Sequence, residues 1–477
     1  MVDVDPFDKL KSLDDLEVAL VHQVLARPSL VTPEDEAALR QAVAVARLDR
    51  IEGRGGTVLV DDLTQKLRDQ VHTLLDPHLG PGRVAAPESL GAAAPLLQMR
   101  ARQVYLEVAE RMVGRVEPEA LDREVHEKAL VLVTGGGGGS GYVHLGAFQL
   151  FEELALRPKL IVGASMGAVM GLFRARRDAF DPGEMVSVLR SISYRKVFRI
   201  LQMRSRYGLP AALRLYLRSA IGRHFAVETF RPPKLGDMRI PLIVAVSGVK
   251  RGSLPHPMAF YEDLLSLRGL RFLSPNYIRK RVIRAAAAIV ELASLSNLEA
   301  LHLGADPETL AFDAIDAVGF SCAVPGVIHY DVVRDDPAMH QLIGKLFAEH
   351  DLVRLIDGGL TDNVPARAAW RALHQGRIGT RNALIVALDG FAPKLHTPIW
   401  LPLQQVAQRN VERNLPYAHF VHRFARSLSP LELVPSVDNT LRAARQAHRE
   451  LQPHAAFLSR MMARLPPLCA VAAARSA

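Results

Sequence analysis

The chain is poor in cysteine, with only Cys322 and Cys469 among its 477 residues. That excludes a disulfide-built scaffold and a thiolate metal site. Two isolated thiols in so long a chain fit a reducing, cytoplasmic compartment. Long apolar runs are missing too. No segment reaches the roughly 18 apolar residues of a membrane-spanning helix. The nearest, AAAAIVELASL from Ala285, carries a glutamate and reads as a core helix. The acidic start, MVDVDPFDKLKSLDDLEVAL, has no compact apolar stretch, so no secretory signal is expected there. Negative charge is the scarcer sign: 50 Asp+Glu against 59 Lys+Arg leave a net +9. Such a surface attracts anionic partners, nucleic acid or anionic lipid, and the charge does not choose between them.

What is present divides the chain by texture. The first 128 residues read as helical. SLDDLEVALVHQVLA offers Ser12 as N-cap and apolar positions at Leu13, Leu16, Leu20, Val21 and Val24. TPEDEAALRQAVAVARL repeats the pattern with Thr32 as cap and Pro33 at the first helical position. DPHLGPGRVAAPESLGAAAP, from Asp76 to Pro95, reads as a loop, with another helix from about Leu96. From Ala129, short apolar runs alternate with helical segments: ALVLVT, KLIVG, PLIVAV, LVRLID and ALIVAL. Continuous apolar strands separated by helices predict an α/β fold with a mostly parallel central sheet between helical layers. Basic, proline-punctuated helical sequence follows. The division expected is 1–128 helical, 129–395 α/β and 396–477 helical.

The first α/β unit carries VLVTGGGGGSGYVHLGAFQLFEEL from Val131, with five glycines in a row. A phosphate-binding P-loop requires Lys and Ser or Thr after its last glycine, and here Tyr142 follows Gly141. Gly136, Gly138 and Gly141 have dinucleotide-fingerprint spacing, but that fold also wants an acid at the end of the next strand. The next strand ends instead in Gly163-Ala164-Ser165. GASMG, Gly163 to Gly167, has the G-x-S-x-G spacing of a nucleophile elbow, a sharp strand-to-helix turn around a serine. An ordinary β–α turn also satisfies those five letters. With a serine nucleophile the glycines gain a purpose, because acyl transfer builds negative charge on the carbonyl oxygen and backbone N–H groups stabilise it. The N–H groups of Gly136, Gly137 and Gly138, with that of Met166, are the candidate oxyanion hole. No downstream histidine lies in a loop after a strand. LVRLIDGGLTDNVP does place Asp357 at a strand end, before Gly358 and Gly359.

In this order the three motifs resemble those of the patatin-like phospholipases: the glycine loop Gly136–Gly141, Gly163-Ala164-Ser165-Met166-Gly167, and Asp357-Gly358-Gly359. HLGAFQLFEE resembles the family's His-x-Gly helix, and SCAVPGVI, from Ser321, its Ser-x-Ala-x-Pro segment. The resemblance implies a lipid acyl hydrolase acting in lipid degradation. Its Ser165–Asp357 dyad would need no metal or cofactor, and Gly141, Gly163, Gly167, Gly358 and Gly359 would be motif glycines. For Asp357 to serve as base, burial must raise its pKa from the ordinary value of about 3.9. One departure stands out: the family usually has a cation where this chain has Ser140. A rival reading is therefore a non-catalytic lipid- or partner-binding protein on the same fold. Arg190–Phe225 holds nine Arg/Lys and no acid, with aromatics among them. It reads as basic helices at an anionic membrane surface, or as a solvated helical face; nucleic acid is not the expected partner. Oligomeric state is not legible.

Overall fold

The computed structural model describes residues 7–53, 56–200, 205–225, 233–252, 257, 298–332, 334–392 and 401–468. The AAAAIVELASL segment and Cys469 lie outside them. The chain divides into two compact units. One is Met1–Leu130 with Ala372–Leu384 and Pro453–Ala477; the other is Val131–Arg371 with Ile385–Gln452.

In the first unit, apolar residues at helical spacing build one core. Helices α1 (Phe7–Ala26), α2 (Pro33–Ala46), α3 (Asp61–Leu79), α4 (Pro87–Met112) and α5 (Pro118–His126) bury Leu13, Leu20, Leu39, Val43, Val71 and Leu97 there. Thr32 caps α2 as expected, its hydroxyl accepting from the Asp35 N–H at 3.1 Å. Ser12 is no cap. It lies inside α1, its hydroxyl donating back to the Lys9 carbonyl at 3.2 Å. The stretch expected to be a loop is helical except for residues 80–86, and α4 begins at Pro87. Pro77 and Pro95 sit on exposed faces of α3 and α4, where water can take the carbonyls that proline leaves unpaired. Between α2 and α3 the chain forms an antiparallel hairpin of β1 (Arg50–Gly53) and β2 (Gly56–Leu59), an element absent from the helical reading.

The second unit carries β3 (Ala129–Thr134), β4 (Pro158–Ala164), β5 (Phe198–Ile200), β6 (Ala211–Leu215), β7 (Leu242–Lys250), β8 (Leu298–Leu303), β9 (Gly326–His329), β10 (Leu352–Asp357), β11 (Ala383–Asp389) and β12 (Phe420–Arg423). The main sheet has the order β10-β7-β4-β3-β11-β12, with β8 also on β7. It is mostly parallel and flanked by helices, among them α6 (Val143–Glu153), α7 (Met166–Ala175) and the Ala314–Ser321 helix. β3, β4, β7 and β11 are buried along nearly their whole length, as strands covered on both faces must be. β12 adds a parallel strand to β11, so the C-terminal region is not purely helical.

The two edges of β7 decide where the site forms. β8 runs antiparallel along one edge, opposite residues 244–249. On the other edge β4 lies parallel to residues 242–245 and stops at Ala164. β10 then occupies that same edge in the opposite direction, ending with Asp357 opposite Val246. The C-terminal ends of β4 and β10 therefore meet head-on, with Ala164 opposite Ala245 and Asp357 opposite its neighbour.

A smaller sheet has the order β5-β6-β9. The Arg190–Phe225 stretch, expected as basic helices, thus contains two strands between short helical turns at Tyr194–Val197 and Leu217–Ile221. Among the described residues, no helix is long and apolar enough to cross a membrane.

Candidate active site

Ser165 is the residue between β4 and α7, at φ +50° and ψ −125°. Side chains rarely tolerate such angles, and strain of this kind persists only where the surroundings enforce it. The motif glycines allow the bend. A Cβ on Gly163 would lie 2.8 Å from the Ala168 backbone, and one on Gly167 only 2.1 Å from the Thr134 carbonyl oxygen. The head-on strand ends bring the serine to the aspartate. Ser165 Oγ donates to Asp357 Oδ2 at 2.6 Å, with the two residues 7% and 6% exposed.

Asp357 Oδ1 accepts from the Gly359 N–H at 2.8 Å, which fixes the carboxylate plane within its own turn. Asp389 caps the comparable turn after β11, accepting from the Phe391 N–H at 2.9 Å. It ends a strand separated from β4 by β3, so the two Asp-Gly turns differ by place in the sheet. Burial pushes the Asp357 carboxyl up to about 6, while the Ser165 and Gly359 hydrogen bonds pull against the rise. Cys322 is buried and borders this pair. Burial and the Asp357 charge push its thiol well above the ordinary range, against a hydrogen bond with the Ser165 side chain.

The glycine loop lies directly over the serine, since a Cβ on Gly136 would approach the Ser165 Cβ to 2.8 Å. Its backbone donors are not equivalent. The Gly135 N–H goes to the Leu388 carbonyl (2.9 Å), Gly136 to Asn363 (3.2 Å) and Gly139 to Pro430 (3.1 Å). Of the four named oxyanion donors, Gly136 is thus already engaged. Gly137, Gly138 and Met166 have no partner for their N–H groups among the described residues. Gly137 and Gly138 adopt φ of +126° and +56°, which turns the chain so that these amides leave the usual pattern.

Three side-chain contacts add to these in holding the loop. The Ser140 hydroxyl donates to the Gly137 carbonyl (2.8 Å), Tyr142 Oη donates to the Leu433 carbonyl (3.1 Å), and His144 Nε2 meets the Gly135 carbonyl at 2.8 Å. His144 is fully buried, which lowers its pKa to about 4. At neutral pH it is an uncharged imidazole whose Nε2–H is the donor. The segment 429–433 crosses so closely that a Cβ on Gly138 would come within 2.2 Å of the Pro430 carbonyl oxygen. At Ser140 this chain thus has a short hydroxyl bonded within the loop, and residues 429–433 form a backbone strap over it. No signal in the sequence revealed that strap.

A match to the family's model over residues 132–370 shows that the chain belongs to the patatin-like phospholipase family, and thereby to a family of lipid acyl hydrolases. No curated protein matches the chain.

Proposed function

We propose that this protein cleaves acyl esters of phospholipids or related lipids, with residues 129–395 as its catalytic domain, Ser165 as nucleophile and Asp357 as base. The observation that carries this reading is the buried 2.6 Å hydrogen bond between Ser165 Oγ and Asp357 Oδ2 at the meeting of two strand ends. Asp357 takes the hydroxyl proton as Oγ attacks the ester carbonyl. The N–H groups of Gly137, Gly138 and Met166 stabilise the charge that develops on the carbonyl oxygen. Asp357 returns the proton to the departing alcohol, leaving an acyl-serine. Water then attacks the acyl carbon, gives a proton to Asp357, and the fatty acid leaves as Ser165 recovers its own. None of these steps calls for a metal or an organic cofactor.

Work at an anionic membrane surface is part of the proposal. Tyr194 is 48% exposed, beside exposed Arg195, Lys196 and Arg199. An amphipathic aromatic among cations suits the headgroup layer of an anionic bilayer. The two thiols fit a cytoplasmic location.

The test is fatty-acid release from mixed anionic liposomes, followed by mass spectrometry. Release is expected, and the lysolipid or glycerol products name the bond cut. A folded protein that binds the liposomes but releases nothing would favour the non-catalytic binding reading.

The raised Asp357 pKa gives a second expectation. The base must be ionised, so kcat/KM on a soluble ester should fall as pH drops through about 6. An ordinary carboxylate would place that limb near 4. A limb near 4 would mean that the titrating base is not this buried aspartate.

A further inference from the structure

Resting on that reading, we infer that Ser321 is the positioning residue that holds nucleophile and base together. It ends the Ala314–Ser321 helix and is completely buried. Its Oγ accepts from the Ser165 N–H at 2.8 Å and donates to the Ala245 carbonyl at 2.6 Å. Ala245 is the β7 residue opposite Ala164, so the hydroxyl ties the strained elbow to the strand beside it. The main chain of the same segment ties the other partner. The Gly358 N–H donates to the Ser321 carbonyl (3.2 Å) and the Asp357 N–H to the Ala323 carbonyl (2.9 Å). Gly358 also lies against Ala245, where a Cβ would sit 2.0 Å from the carbonyl oxygen. One segment thus receives both halves of the dyad, and one side chain supplies the contact to the serine half.

The arrangement answers what enforces the Ser165 conformation. A backbone at φ +50° needs surroundings that over-determine it. The Ser321 hydroxyl supplies one such contact and touches neither the reacting oxygen nor the carboxylate. Without it, the Ser165 N–H and the Ala245 carbonyl are left as buried polar groups without their partner, and the elbow can relax away from Asp357.

Ser321→Ala should lower kcat about 100-fold, the scale of an ångström-sized misplacement of reacting groups. KM should stay within about 3-fold, because substrate contacts are untouched. The acid limb of the pH profile should move upward, since a loosened Ser165 no longer donates fully to the Asp357 carboxylate. Ser321→Thr keeps the hydroxyl and should restore most of kcat and the limb. Ser321→Cys fills the same space with a weak hydrogen-bonding group, and serves if the alanine variant does not fold. Circular dichroism and thermal unfolding accompany each variant, with Ser165→Ala as reference. Wild-type kcat and an unmoved limb in folded Ser321→Ala or Ser321→Cys would overturn the inference. Unchanged activity in Ser165→Ala would instead overturn the dyad itself.

Discussion

Ser165→Ala is expected to cut ester hydrolysis by about 10⁴-fold or more, and Asp357→Asn by about 10³- to 10⁴-fold. The aspartate case is the more discriminating. Asparagine keeps the size of the side chain and an oxygen for the Gly359 N–H, which donates to Oδ1 at 2.8 Å in the wild type. What it loses is the base that faces Ser165 Oγ at 2.6 Å. Because both groups serve one proton transfer, the double variant should be no slower than the worse single one. The measurement is kcat/KM on a soluble ester, with fatty-acid release from liposomes alongside and a folding check for each variant. Full activity in Asp357→Asn would remove the aspartate from the mechanism. Full activity in Ser165→Ala would point to another nucleophile.

The sequence revealed the parts of the site but not their spatial relation. ALVLVT, KLIVG and ALIVAL are legible as strands because short, continuous apolar runs suit a sheet covered on both faces, and β3, β4 and β11 are so buried. The G-x-S-x-G spacing was readable because close packing at Gly163 and Gly167 forbids a side chain there. That Ser165 and Asp357 meet depends on β4 and β10 sharing one edge of β7, a long-range pairing that no local pattern encodes. β12 escaped notice for a different reason. FVHR is four residues long and only partly buried, too short for a period-two signal. The β1–β2 hairpin hid in the same way inside a region dominated by helical spacing. That Cys322 borders the dyad is likewise not legible locally, because Ser165 and Asp357 reach it from other elements of the fold.

Outside the proposed catalytic chemistry, the largest effect is expected from Glu17→Ala, a loss of about 3–5 kcal/mol of stability. Glu17 lies in the first unit, where its Oε1 accepts from Arg40 Nε at 3.0 Å and its Oε2 faces Lys128 Nζ at 2.8 Å, all three side chains being buried. Burial alone would raise the Glu17 carboxyl, but Lys128, Arg40 and Arg47 outweigh it and hold the pKa at about 2. Truncation leaves Lys128 without that carboxylate and Arg40 with Glu36 at 3.8 Å. Breaking one side of a buried ion pair costs far more than the intact pair contributes, since the remaining charge stays desolvated. The pH dependence carries the same information. The folded pKa lies below the ordinary 4.5, so this contribution is complete above about 4.5 and fades as pH falls toward 2. Urea unfolding at pH 7 and at stepped pH down to 3 measures both effects. Removing the partner as well, in Glu17→Ala with Lys128→Met, should recover part of the loss, because no lysine charge is then stranded. A single variant within about 1 kcal/mol of wild type would mean that water reaches these groups when the carboxylate is gone.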